Sequence, residues 1–305
     1  MPVWQPNPAW LHEAVASALE QTGVDLELVV VDDGNDVPVA TLLADVADPR
    51  LRHVRIAHAG VSAARNAGLE VVKAELVRFV DADDVLDPGS TARLCRLTTA
   101  TTIGYEDTVV CDDQLRPRGR ISSRLSGDVV TACLLAQFDT RHVSMLFPRA
   151  VVDRAGPWDP GLRVAEDFDF VLRCVEHATV APGEGTATYY RRHDASATRS
   201  AEAVRDAERA RRIILTRFFD RHPERRGTAL WRTAWTGIHR NEARTALHRQ
   251  QPVRAAVRTW PLVRLAPQEA AVLYLRLAKL LVRLSGAAIA RTTGRARRSR
   301  PRRGC

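Results

Sequence analysis

Three groups of acids and one histidine in this chain have the types and spacing to do chemistry. The first is Asp81-Ala82-Asp83-Asp84, which closes a short apolar run from Leu76 to Val80. Side chains alternate along an extended chain, so acids spaced D-x-D point the same way, and Asp81 and Asp83 can converge on one cation. A hard divalent ion held by one or two carboxylates, its shell completed by phosphate oxygens, is a common arrangement for Mg2+ or Mn2+. The same residues also read as an acidic turn before a helix starting near Pro88, and spacing alone does not separate the two. The second group, Asp32-Asp33-Gly34, follows the apolar run Leu26 to Val31. Acids there can hydrogen-bond a base and a ribose, or they can simply make an Asp-Gly turn. The third, Glu166-Asp167, opens a helical pattern. It offers either a general base or acids that complement the helix dipole. His193 ends a strand-like run, where its imidazole is either a further metal ligand or a packed surface residue.

The elements that must carry these residues follow from the apolar pattern. Ala9 to Gln21 has helical spacing and starts after Asn7-Pro8. The strand expected before it is reduced to Pro2-Val3-Trp4, which places the true start upstream of Met1 or makes that strand unusually short. Leu26 to Val31 reads as a buried strand, Val39 to Val46 as a helix and Leu51 to Ile56 as a strand nearer an edge. Gly60-Val61-Ser62 leads into a helix from Ala63 to Val72, with Ser62 as its cap. Arg65 and Asn66 lie near the start of that helix, where anions bind. Gly68 within it implies a close-packed neighbour. Leu76 to Val80 is the next strand, and the alternation implies a doubly wound parallel sheet. Beyond Leu94, Gly104 to Asp112 and Arg116 to Ser122 read as strands or a hairpin, and Val129 to Phe138 as a helix. Met145 to Phe147 reads as a strand, Ala150 to Ala155 as a short helix, Glu166 to His177 as a helix and Thr186 to Arg192 as a strand.

Charge divides the chain. Residues 1–200 hold 20 Lys and Arg against 29 Asp and Glu, whereas residues 201–305 hold 25 against 7. Such a change of sign marks regions with different partners: an acidic part suited to a metal-dependent site and a basic part suited to an anionic surface. From Ala201 onward the pattern is helical, punctuated by Pro223, Pro252, Pro261 and Pro267. Gln268 to Ala290 is amphipathic, with Arg276, Lys279 and Arg283 at helical spacing. Arg291 to Cys305 has seven Arg and no acid, and is expected to be disordered. The five cysteines form no C-x-x-C pair and read as reduced thiols. No apolar run reaches 18 residues, which excludes a spanning helix within this sequence, and the first residues lack the apolar core of a signal peptide.

Taken in order, P-V-W-Q, D-D-G, G-V-S-A-A-R-N-A-G, D-A-D-D, G-P-W-D-P, A-E-D-F-D-F and Y-R-R-H-D resemble the family-2 glycosyltransferases. The resemblance covers about residues 1–200. It implies a GT-A, Rossmann-like, mostly parallel sheet flanked by helices, followed here by a mostly helical basic region from 201 to 290. It further implies an inverting transfer of sugar from a nucleotide-sugar donor to a glycan or lipid-linked acceptor of the cell envelope. Under it, Asp32 and Asp33 would contact the base and ribose, and Arg65 and Asn66 would line the nucleotide pocket with Val3, Trp4 and Ala82. Asp81 would sit near ribose or metal, and Asp83 would ligate Mn2+ or Mg2+ with His193 close by. Asp167 would be the base, with Glu166 beside it. Trp4-Gln5 depart from the family's aromatic-Asn pair, and Asn35 stands where the D-D-G-S pattern has Ser. The implied location is cytoplasmic, peripheral on an anionic membrane through the C-terminal helix and Arg tail. Two other readings stay open. One is a nucleotidyltransferase, although this chain lacks its Gly-rich loop; the other is a nucleic-acid binder using the tail, against which stand the acidic first region and a tail without interleaved aromatics.

Overall fold

The computed structural model describes residues 1–193 and 201–298, with side chains placed for 1–193, 206–247 and 249–282. The chain divides into two compact units near residue 210. The first begins with β1 (Pro2–Val3), α1 (Pro8–Leu19), β2 (Leu28–Asp32), α2 (Val39–Leu42), β3 (Leu51–Arg55) and α3 (Val61–Val71). Asn7 caps α1 by accepting from the Ala9 and Trp10 amides, and Pro8 fills a first-turn position that needs no donor. The three strands form a parallel sheet in the order β1-β2-β3. Every residue of β2 is buried. Val30 packs on the side of Leu11 and Val15 from α1, while Val29 and Val31 pack on the side of Ala64 from α3. Gly68 faces this contact, and a Cβ there would lie 3.4 Å from Val31 Cγ2, an ordinary packing distance. The cap of α3 is Gly60, at φ 91°, and Ser62 is buried inside the helix. The positive φ suits glycine, which is why the turn falls two residues before the hydroxyl.

The unit continues as β4 (Leu76–Val77), β5 (Val85–Leu86), α4 (Ser90–Leu97), β6 (Thr102–Cys111), β7 (Pro117–Ile121), α5 (Val130–Leu134), β8 (Met145–Pro148), α6 (Arg149–Ala155), α7 (Glu166–Val175) and β9 (Thr179–Arg191). These strands form a second sheet, ordered β4-β8-β6-β9-β5, with β7 on β6. Only β6–β9 is parallel there, and the other pairs are antiparallel. The architecture is therefore a mixed sheet flanked by helices, its parallel part narrower than the alternation implies. Parallel neighbours need long crossovers, and beyond Leu97 the chain turns back through a hairpin and short connections instead. β4 stops at Val77. Phe79 and Val80 are buried without ladder pairing among the described residues. Between β1–β2 and β4 lies an apolar cavity of about 440 Å3, lined by Val29, Leu69, Leu76 and Phe79 among others.

An aromatic cluster holds the end of this segment against α7. Phe79 meets Trp158, Phe170 and Phe147 edge to face, and Trp158 stacks on Phe170 at 4.1 Å. Trp158 is wholly buried. Asn66 grips its backbone, its amide donating to the Trp158 carbonyl and accepting from the Trp158 N–H. Trp158→Ala should cost about 3–5 kcal/mol, read from urea unfolding. A loss under ~1 kcal/mol would mean the cluster closes over the gap and does not organise the site.

The second unit is helical. α8 (Ala201–Arg221) leads into α9 (Ala229–His248), α10 (Pro252–Thr259), α11 (Leu262–Leu265) and α12 (Pro267–Arg298). Ala243, Leu262, Ala270 and Leu273 form one small core, and Ala246, Ala255 and Leu277 another. The carboxylate of Glu242 is buried there and paired with Arg212 and Arg258. Helix α12 extends eight residues into the arginine-rich stretch, beyond the end at Ala290 that spacing suggests. Ala and Arg are both strong helix formers. Residues 299–305, the rest of that stretch, lie outside the described residues. Among the described residues no helix is long and apolar enough to cross a membrane, and Cys95, Cys111, Cys133 and Cys174 are free thiols.

Candidate functional site

The C-terminal ends of β1 and β2, the loop after β4 and the end of β9 open on one cavity of about 800 Å3. Of the candidate residues, Val3, Trp4, Asp33, Asp81, Ala82, Asp83 and His193 line it. Trp4 stacks on His58 at 3.7 Å and forms a half-exposed aromatic lip. The next residue, Gln5, has φ 44°, a left-handed conformation that a non-glycine residue adopts at a cost. Its amide donates to Asn35 Oδ1 at 2.6 Å, which holds the lip in place.

The two acids after β2 divide their work. Asp32 faces inward and accepts from the Asn35 amide, the Asn35 side chain and the Val39 amide. It does not line the cavity; it builds the turn. Burial opposes its charge, but these donors and Arg55 hold its carboxyl below the usual range. Asp33 does reach the cavity, although its oxygens accept from the Ala59 and Gly60 amides and meet His58 Nδ1 at 2.9 Å. Asn35 thus takes a structural part in the place where a hydroxyl is usual, closing the turn on Asp32.

Asp81 and Asp83 sit in a turn rather than on an extended strand, since the Asp84 amide donates to the Asp81 carbonyl. Alternation with period two therefore ends before them, and their carboxylates have different partners. Asp81 Oδ1 accepts from Arg65 Nη2 at 2.8 Å, and its Oδ2 lies 3.8 Å from His142 Nε2. Burial would raise its carboxyl, but Arg65 and His142 outweigh this and hold it well below the usual range. Asp83 Oδ2 lies 3.0 Å from His193 Nε2. Burial and the charge of Asp81 raise the Asp83 carboxyl. Asp84 is wholly buried and its carboxyl is raised well above normal by burial and then by Asp83 and Asp81. The same three acids, after burial, help push the Tyr190 phenol up to about 12. This is an excess of negative charge at the cavity floor.

Arg191 braces that floor. Its guanidinium is buried, donates to the carbonyls of Asp83 and Asp113 and pairs with Glu13 of α1, while its amide donates to Asp84. It also lies over the Trp10 ring.

Arg65 joins the cavity to the start of α7. It is buried, donates to Asp81 and to Glu166 Oε1, and its guanidinium lies 4.3 Å from the Trp158 ring centre. Burial works against its charge, yet the two carboxylates leave it above its ordinary value. Asn66, one helix position on, is rotated away by about 100° and is spent on Trp158. It does not line the cavity, contrary to the role expected for it.

Glu166 and Asp167 are distinguished by exposure. The Glu166 side chain is 15% exposed and faces Arg65, whereas that of Asp167 is 40% exposed. Burial and then Asp167 raise the Glu166 carboxyl, and Arg65 lowers it in part. Ala165, the cap of α7, has φ 60°, so the backbone is strained where it presents the two acids. Arg173 keeps α7 in place, pairing with Asp169 and donating to the carbonyls of Ala155 and Gly156.

Sequence reasoning missed His142. It is buried between the two halves of the site, 3.8 Å from Asp81 and 4.0 Å from Asp167. Neither ring nitrogen has a hydrogen-bond partner among the described residues. A lone histidine before Val143-Ser144-Met145 carries no motif, and only the fold brings it here.

No three His, Cys, Asp or Glu side chains are already gathered as a metal site among the described residues. The donor set at the floor nonetheless suits a hard divalent cation. Asp83 lines the cavity with the buried Asp84 behind it, while Asp81 is committed to Arg65.

The family model for glycosyl transferase family 2 matches residues 1–103. The chain is 28% identical over 194 residues to the uncharacterized glycosyltransferase EpsJ of Bacillus subtilis, covering 58% of this chain and 55% of that protein. It is 27% identical over 192 residues to the succinoglycan biosynthesis protein ExoO of Rhizobium meliloti, covering 56% and 54%. The chain thus spans about half the length of these relatives. The crystal structure of S. aureus TarS 1–349 superposes with a TM-score of 0.60 at 15% identity, covering 92% of this chain and 85% of that one. TarS has also been crystallised with UDP and with UDP-GlcNAc. Residues 1–103 are thus similar to glycosyl transferase family 2, and the fold is shared with TarS.

Proposed function

We propose that this chain is an inverting glycosyltransferase that moves a sugar from a nucleotide-sugar donor to a hydroxyl of a glycan or lipid-linked acceptor in cell-envelope polysaccharide synthesis. The observation that carries this reading is one cavity holding Asp33, Asp81 and Asp83, tied through Arg65 to a carboxylate pair at the start of α7. The site of TarS, crystallised with UDP and UDP-GlcNAc, makes UDP-sugars the first donors to try. The name of ExoO points to a polysaccharide product.

In this reading Trp4 and Asp33 receive the base and ribose, and Asp81 and Ala82 line the way to the diphosphate. Asp83, with His193 beside it, would hold Mn2+ or Mg2+. When bound, such an ion neutralises charge on the diphosphate. Asp167 takes the proton from the acceptor hydroxyl. That oxygen bonds to the anomeric carbon as the bond to the diphosphate oxygen breaks, with the electron pair leaving on the diphosphate. Attack from the opposite face inverts the carbon, and no covalent enzyme intermediate forms. Glu166 stays on Arg65 and keeps that cation between the two carboxylate groups.

The test is thermal stabilisation by UDP-, GDP- and dTDP-sugars with and without Mn2+. One nucleotide class should stabilise the protein in a metal-dependent way, and Asp83→Ala should remove the metal dependence. A folded protein that responds to none of them would sink the proposal.

The second unit, with 23 Lys and Arg against 4 Asp and Glu over residues 211–305, we read as a contact with an anionic membrane surface. The Arg tail beyond Arg298 lies outside the described residues.

A further inference from the structure

Helices α10 and α11 present an apolar ridge to solvent. Val253 is 78% exposed, Val257 62%, Trp260 70% and Val263 43%. The first three are spaced four and three residues apart, so they share one helical face. Ala255, Thr259 and Leu262 on the opposite side are buried. The ridge is thus a face left over after the unit has packed its own core. Beside it, Trp231 and Trp235 of α9 join Trp260, Val263 and Arg264 around a groove of about 570 Å3. The buried Trp235 indole N–H has no hydrogen-bond partner among the described residues. Half of the six tryptophans in the chain meet at this one surface. Arg254 and Arg264 are interspersed with the apolar positions, while Arg258 is paired with Glu242.

We propose that the α10–α11 ridge is the membrane-docking face of the second unit, with an anionic phospholipid surface as its partner. This rests on the reading of that unit as membrane-facing and assigns the residues that make the contact. Charge selects the partner, because a surface this cationic needs an anionic counterpart. The apolar side chains then select lipid: phosphate binding alone gives no return for exposing two valines and a tryptophan. An interfacial helix has this layout, with aliphatic residues below the headgroups, Trp at their level and arginines at the phosphates. The ridge, and not the cationic stripe of α12 alone, would then set the depth of insertion.

The experiment is flotation of the full chain with phosphatidylcholine vesicles, with and without phosphatidylglycerol. It compares the natural sequence with Val253→Asp/Val257→Asp, and velocity sedimentation follows both proteins without vesicles. The natural chain should float with the anionic vesicles, and the double variant should bind at least about tenfold more weakly, as loss of one or two buried valines implies. Both positions are exposed, so the melting temperature should not move. Equal flotation of the two proteins would overturn the ridge and leave the membrane reading standing on α12. No flotation of the natural chain would overturn both. A natural chain that sediments as a dimer, becomes monomeric in the variant and never floats would make the ridge a contact between copies, which also overturns the proposal.

Discussion

Asp167→Asn is expected to lower sugar transfer by about a thousandfold while the donor still binds. The amide keeps the size of the side chain, and its oxygen can still accept from the Phe168 amide, the bond that Asp167 Oδ1 makes at 2.7 Å. What is lost is an oxygen that can take a proton. Two carboxylates stand side by side here, and the structure separates them. Glu166 is committed to Arg65, whereas Asp167 is the more open and has one oxygen left toward His142 at 4.0 Å. Initial rates, with donor affinity measured by calorimetry on the same preparations, check this. If the variant turns over like the natural chain, Asp167 is not the base. If affinity falls in step with rate, the residue binds donor and does not act on the acceptor.

Arg65→Met is expected to destabilise the first unit by about 2–3 kcal/mol, because it strands two partly buried carboxylates around an uncharged side chain. Arg65→Lys should recover little of this. One ammonium cannot span Asp81 and Glu166 and also lie flat over Trp158, as the guanidinium does. Urea unfolding of both variants is the measurement. An unchanged midpoint in Arg65→Met would show that water entering from the cavity already satisfies those carboxylates. The two predictions differ in kind: Asp167→Asn should spare the fold and remove the chemistry, whereas Arg65→Met should damage both.

Much of this site was legible because local chemistry wrote it into the chain. An apolar run ending in acids had to place them at the edge of a sheet, and the acids opening α7 complement the dipole whatever else they do. Gly68 announced its close neighbour, and that neighbour is Val31. Asn66 was misplaced because motif order gives sequence position and says nothing of helical phase; its amide is spent on Trp158. The resemblance places Asp32 with Asp33 at the base and ribose, whereas the bonds that make its turn use both of its oxygens. The D-x-D alternation assumed a strand that the ladder does not extend to residue 81. His142 and Arg191 were invisible for another reason. Each acts across more than fifty residues of sequence, on Asp81 and on Glu13, and no spacing rule reaches that far. The mostly parallel sheet flanked by helices was legible, but not the width of its antiparallel part, since the returns after Leu97 carry no period that marks strand direction.

The gap between β2 and β4 bears on how the two halves of the site are joined. Among the described residues the two sheets share no ladder, so no backbone hydrogen-bond ladder there joins the half that carries Trp4 and Asp33 to the half that carries Asp167. Side chains join them: Arg65 to Asp81 and Glu166, Asn66 to Trp158, and Arg191 to Glu13. A continuous sheet resists shear, because sliding one strand breaks a whole row of bonds at once. Here the join is made by side chains, both these polar ones and the apolar core in which Val80 and Leu86 pack with Val3, Leu11 and Val15. The polar residues that join the two halves, Arg65 above all, are the same ones that order the acids.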